Sequence, residues 1–178
     1  MLKICIDPGH GGSDPGAVNG SLHEADAALA IAKKVGALLE ARGVQVKYTR
    51  TADNAVSLAD RCKISDTFGA DVFVSIHLNS AENKNASGIE TWRYSNVGAR
   101  TKALAENVQT ELIGATGAKN RGVKTTSSLY VLKHTTASAV LIEAGFLSNS
   151  KDAKLLFSES YQEKLASAIV SGIYKSMA

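Results

Sequence analysis

No run of apolar residues in this chain approaches the roughly 20 needed to span a bilayer, although 44% of its 178 residues are hydrophobic. A membrane-spanning role is therefore not expected. Charge of one sign is also scarce: 20 Lys and Arg against 17 Asp and Glu leave a formal charge of +3, and the basic residues are scattered. That weak field favours approach to an anionic polymer such as an acidic cell surface. With no RNA-binding motif and no basic-aromatic stripe, nucleic acid is not an expected partner. The two cysteines, Cys5 and Cys62, lack the paired spacing of metal or redox motifs. They are expected to be free thiols acting as small apolar side chains, with a disulfide or a place in the site as the alternatives. The two prolines, Pro8 and Pro15, both fall in the first loop, and no linker, repeat or low-complexity tract divides the chain. One domain over residues 1–178 is expected. The N-terminus enters a strand at once, and no export signal is visible there.

What is present reads as α/β. Leu2 to Ile6 is a short apolar strand closed by Asp7-Pro8-Gly9 and followed by a Gly-rich loop from His10 to Gly20. A helix is expected from about Leu22 to Arg42, ended by Gly43, then a strand over Val44 to Thr49 and a helix over Leu58 to Phe68. Asp71 to Ile76 reads as a buried strand running into His77. Ile89 to Tyr94 alternates as a strand near an edge would, and Ala99 to Gly114 reads as helical. Leu129 to Leu132 and Ala139 to Ile142 are expected as two further strands, with a helical tail from about Asp152 to Ser176. The fold class is α/β: a single domain with a mostly parallel, twisted central sheet of about six strands and helices on both faces.

In such sheets ligands collect beyond the carboxyl ends of the strands. His10 follows the first strand, His77 the third, and Glu143 terminates the last, so three chemically able side chains project from one edge. Glu24 has two readings. Ser21-Leu22-His23-Glu24 matches a capping box, in which Glu24 reaches back to the Ser21 N–H; beside His10, it also completes a metal site. His23 is a rival ligand, but on a helix it points about 100° away from Glu24. Two histidines and one carboxylate suit zinc, whose catalytic sites keep a fourth position for water and lower its pKa to roughly 7. Glu143, after the apolar Ala139-Val140-Leu141-Ile142 and before Gly145, suits the proton-shuttling carboxylate that amide hydrolysis needs. Its alternative is a carboxylate paired with a cation.

At these residues the chain resembles the zinc-dependent N-acetylmuramoyl-L-alanine amidases of the amidase-3 type, found in bacterial autolysins and phage endolysins. Ile6-Asp7-Pro8-Gly9-His10-Gly11-Gly12 resembles the family's first metal motif, and Glu24 falls at its second ligand. Ser75-Ile76-His77-Leu78-Asn79-Ser80 resembles the third, and Leu141-Ile142-Glu143-Ala144-Gly145-Phe146 resembles the catalytic-glutamate segment. The resemblance implies hydrolysis of the amide between N-acetylmuramic acid and L-alanine in peptidoglycan, with Zn2+ as cofactor and Glu143 as general acid and base. It also marks Arg121 and Asn79 as candidate substrate contacts. Arg121 meets either an anionic part of the stem peptide or a surface ion pair, and Arg50 is expected to be structural. Ser138 stands where many relatives carry a proline, and His134 lies in a variable loop, either at the substrate groove or simply exposed.

Ligand counting leaves open a zinc peptidase cutting within the stem and a wall-binding module without catalysis. Peptidoglycan is the expected partner and a monomer the expected state. Action is expected at the bacterial cell wall, reached by lysis or through a membrane lesion, unless the sequence is the catalytic part of a longer chain.

Overall fold

The computed structural model describes residues 1–177; Ala178, the last residue of the expected domain, lies outside the described residues. In chain order the elements are β1 (Lys3–Pro8), β2 (Val18–Asn19), β3 (Leu22–His23), α1 (Glu24–Glu40), β4 (Gln45–Tyr48), α2 (Leu58–Phe68) and β5 (Val72–Asn79). There follow β6 (Ile89–Tyr94), α3 (Ala99–Thr116), β7 (Asn120–Thr126), α4 (Tyr130–His134), β8 (Ser138–Phe146), α5 (Ser150–Leu156) and α6 (Glu159–Lys175).

Six strands form one sheet in the order β4-β1-β5-β8-β6-β7. The first four run parallel; β6 pairs antiparallel with β8, and β7 runs parallel to β6. The carboxyl ends of β1, β5 and β8 therefore share an edge with the beginnings of β6 and β7, and both sets of residues can contribute to one site.

Strand alternation decides which side chains reach which face. Ile4, Ile6, Val74, Ile76, Val140 and Ile142 pack with α1, α3, α5 and α6 in the larger core. Their neighbours Cys5, Phe73, Ala139 and Leu141 pack with Cys62 of α2 and with Val131 and Leu132 of α4 in a smaller cluster. The sheet is thus covered on both faces, as expected. Each fully buried Ile or Leu contributes about 1.5–3 kcal/mol relative to exposure, and α1 holds its place through Ala28, Ile31, Ala32, Val35 and Leu39, all without solvent exposure. α2 begins at Ser57, whose side chain accepts from the Asp60 N–H, and ends at left-handed Gly69.

Several expectations are corrected. Leu129 to Leu132, expected as a strand, belongs to a helical turn: the Lys133 N–H donates to the Leu129 carbonyl and the Thr135 N–H to that of Val131. A run of four apolar residues does not separate strand from helix by periodicity, and here Val131 and Leu132 are buried together. β7 was absent from the expected strands because it is largely polar and partly exposed at the sheet edge. β5 continues through His77 to Asn79, and β8 continues past Glu143 to Phe146, so neither side chain terminates its strand. The helical tail is two helices, parted at Phe157 and Ser158.

Candidate metal centre

Pro8 ends β1, and the chain then turns through His10, which adopts φ 58°. This left-handed backbone costs a non-glycine residue about 1–2 kcal/mol, and the surroundings compensate with two arginines. Arg50 donates from Nη2 to the Gly9 and Ala25 carbonyls, each at 2.8 Å, and from Nε to the Pro8 carbonyl. Arg61 donates to the Pro8 carbonyl at 2.6 Å and to the His10 carbonyl at 2.7 Å. Arg61 also pairs at 2.8 Å with Asp7, whose carboxylate further accepts from the hydroxyls of Thr49 and Ser75, both at 2.6 Å. Arg50 is structural, as expected. Arg61 was missed; the signal was Asp7 itself, an acid continuing a buried strand and so in need of a cation.

The turn brings His10 to Glu24 and His77. Nε2 of His10 lies 3.1 Å and Nδ1 of His77 3.0 Å from the same Glu24 oxygen, Oε1. One donor atom from each of the three residues lies within 4.8 Å of the others. The two imidazoles meet edge to face, centroids 4.9 Å apart. Glu24 is also fixed from behind: Oε1 accepts from the Leu78 N–H at 3.0 Å and Oε2 from the Ala17 N–H at 2.8 Å. The capping-box alternative is not what forms, since no side chain caps α1. His23 sits apart, its Nδ1 3.7 Å from Asp26. Close approach requires glycine at two positions. A Cβ on Gly9 would run into the His77 ring, and one on Gly16, at φ +67°, would strike Glu24 and His10.

Nδ1 of His10 meets Asp14 at 2.8 Å, so the ring is held from both sides, with Nε2 turned to Glu24. In the metal-free protein the hydrogen bond to Glu24 raises the His10 pKa to about 9, against the opposing effect of burial. Burial disfavours the Glu24 charge, yet the hydrogen bonds from His10 and His77 outweigh it and hold that carboxyl well below the usual range.

Glu143 is the register partner of His77 across β5 and β8, and of Glu90 across β8 and β6. Three side chains thus form a row across the sheet. Oε2 of Glu143 is buried without a hydrogen-bond partner, and burial pushes the carboxyl up to about 7. The cation-paired alternative for Glu143 is not what forms: no salt bridge reaches it among the described residues. Beside the row opens a groove of about 410 Å³, lined by His10, His77, Leu58, Tyr130 and Leu141 among others.

Asn79 and Arg121 converge elsewhere, on Glu90. Asn79 Nδ2 donates to Glu90 Oε1 and Arg121 Nε to Oε2, each at 3.0 Å, while the Arg121 guanidinium lies over the Phe146 ring. Glu90 went unnoticed because its alternating strand gives no sign of which side faces the site. Both cysteines are free and buried, and burial pushes Cys5 to about 12 and Cys62 to about 11. His134 is exposed and stacks on Tyr130.

The family model described as N-acetylmuramoyl-L-alanine amidase matches residues 4–175. The chain belongs to this amidase family. It is 39% identical over 175 residues to the sporulation-specific N-acetylmuramoyl-L-alanine amidase of Bacillus subtilis, covering 97% of this chain and 67% of that protein. The fold matches the crystal structure of the amidase from Clostridium difficile 630 with a TM-score of 0.95 at 37% identity, covering 99% of this chain and 96% of that one. It matches the catalytic domain of the amidase CwlV from Paenibacillus polymyxa with a TM-score of 0.93 at 36% identity, covering 99% and 98%. All three likenesses span the family's fold from β1 to α6, so the site's supporting elements lie within the matched region.

Proposed function

We propose that this amidase-family chain hydrolyses the bond between N-acetylmuramic acid and L-alanine in peptidoglycan, with zinc held by His10, Glu24 and His77. The observation that carries the reading is the meeting of two imidazole nitrogens and one carboxylate oxygen within 4.8 Å beside a buried, unpartnered Glu143 oxygen. Imidazoles with a single carboxylate fit zinc better than the oxygen-seeking Ca2+ or Mg2+. When bound, zinc supplies a Lewis acid for the amide carbonyl and makes water nucleophilic near neutral pH.

The protein's own side chains do the rest. Glu143, held near 7, exists at neutral pH in both charge states. It takes a proton from the attacking water and delivers it to the departing alanine nitrogen, a role for which a pKa near the working pH is best. Asp14 orients His10, and Arg121 and Asn79 hold the substrate at the far side of Glu143. The site of action is the bacterial cell wall, consistent with a chain in which no described helix is long and apolar enough to cross a membrane.

Mass spectrometry of digested muropeptides tests the reaction: intact stems with a new alanine amino terminus are expected. Reducing sugar ends, or stems cut internally, would overturn it. Glu143→Gln should lower kcat by roughly 10²–10⁴ with one zinc per chain retained, whereas His10→Ala and His77→Ala should lose the metal.

A further inference from the structure

Glu90 is the second residue of β6, at the edge where β1, β5 and β8 end, and only 6% of it is exposed. Its carboxylate gathers three donors from three strands: Asn79 Nδ2 from β5, Trp92 Nε1 from β6 and Arg121 Nε from β7, each at 3.0 Å. It lies directly across the strand pair from Glu143, yet it is not among the residues that could hold the metal. Burying a carboxylate is costly unless it is paired and hydrogen-bonded, and Glu90 meets that condition through Asn79, Trp92 and Arg121.

The geometry limits what Arg121 can do. Its Nε is taken by Glu90, its Nη1 reaches the Ser87 carbonyl at a long 3.4 Å, and its flat face rests on the Phe146 ring, 4.8 Å from the centroid. The guanidinium is thereby immobilised, with 29% of the side chain still open to solvent. Its charge is matched by Glu90 at contact distance. An arginine so neutralised exerts little pull on a further anion, but it still presents fixed N–H donors.

Resting on the amidase reading above, we propose that Glu90 is a positioning residue that fixes Asn79 and Arg121 as a charge-balanced donor pair for neutral amide carbonyls of the stem peptide. The site then recognises the peptide backbone, whatever the state of the stem's carboxyl groups. This departs from the simple expectation that an arginine here binds an anionic part of the stem.

The test uses the zinc-loaded protein and two muropeptides that differ only in whether the stem carboxyls are free or amidated. For the unaltered protein, KM for the two should agree within about twofold. Glu90→Gln keeps the volume and removes the balancing charge; it should raise KM for the amidated substrate about tenfold while zinc content changes little. Because Arg121 is then unbalanced, that variant should also acquire a preference of about tenfold for the free-carboxyl substrate, and Arg121→Gln in the same chain should abolish the preference. A purely structural Glu90 would change stability without changing this ratio. The proposal is overturned if the unaltered protein already favours free carboxyls by tenfold, or if Glu90→Gln leaves the ratio unmoved. Should Glu90→Gln fold poorly, Arg121→Gln alone decides: an unchanged KM for both substrates overturns the proposal, and an equal rise for both supports it. If the unaltered protein releases no alanine amino terminus, the amidase reading fails by itself, and calorimetric affinities for the same two muropeptides decide the role of Glu90.

Discussion

At the scale of single residues, the proposed zinc site depends on which nitrogen of His10 faces the ion. Asp14 decides this through its 2.8 Å contact with Nδ1. Asp14 is well exposed, its side chain retaining 64% of its accessible surface, and its other oxygen accepts from the Gly16 N–H at 3.0 Å. Asp14→Ala should weaken zinc binding by about 10–100-fold, the usual effect of losing a carboxylate behind a metal-bound histidine. Competition with a chelating dye would measure it, and an unchanged affinity would show that the loop alone orients the ring. His10, His77 and Glu143 were legible in the sequence because each occurs at or near the end of an apolar strand, where chemistry gathers in α/β sheets. Glu24 had two local readings; the sequence could not decide between them because the deciding donors, Ala17 N–H and Leu78 N–H, come from separate parts of the chain. Glu90 was invisible for a related reason: its importance lies in a register with Glu143 that only sheet assembly creates.

At the scale of elements, β1, α2 and the loop after β1 are tied by the Asp7–Arg61 pair, both partners nearly inaccessible to water. Arg61 sits on α2, so the helix holds the His10 turn as well as covering the sheet. Removing one partner of a buried ion pair costs about 3–5 kcal/mol, because the other charge is stranded. Arg61→Ala should therefore lower unfolding stability by about that amount in urea, and the variant that remains folded should bind zinc less tightly, since the His10 carbonyl loses its donor. A loss below about 1 kcal/mol would mean that Thr49 and Ser75 suffice for Asp7. The helices were read close to their bounds, α2 to the residue, except that α5 and α6 were read as one. The elements misread, α4 and β7, are a single apolar turn and a polar edge strand. Their structure comes from packing against α2 and pairing with β6, neither of which leaves a period in the sequence.

At the scale of the whole molecule, a metal ion bridging His10, Glu24 and His77 would join the turn after β1, the start of α1 and the end of β5, so its binding and the fold's stability are linked. The pKa of His10 in the metal-free protein is raised from the ordinary 6.5 to about 9 by its hydrogen bond to Glu24. A raised folded-state pKa adds stability that is complete below about 6.5 and disappears as the pH climbs through about 9. The metal-free protein should accordingly lose part of its stability over that interval. Zinc requires the same nitrogen without its proton, so metal binding releases a proton throughout the interval and strengthens as pH rises. Binding to the native state alone stabilises by about 2.7 kcal/mol when free ligand is 100 times its Kd. The gap in Tm between zinc-loaded and chelator-treated protein should therefore widen steadily from pH 6 to pH 9. Thermal scans across that range measure the gap, and calorimetry in buffers of different ionisation enthalpy measures the proton released. A gap independent of pH, with no proton released, would mean that His10 is already neutral, with a single ring proton, in the metal-free protein and that its contact with Glu24 is between a neutral ring and a carboxylate.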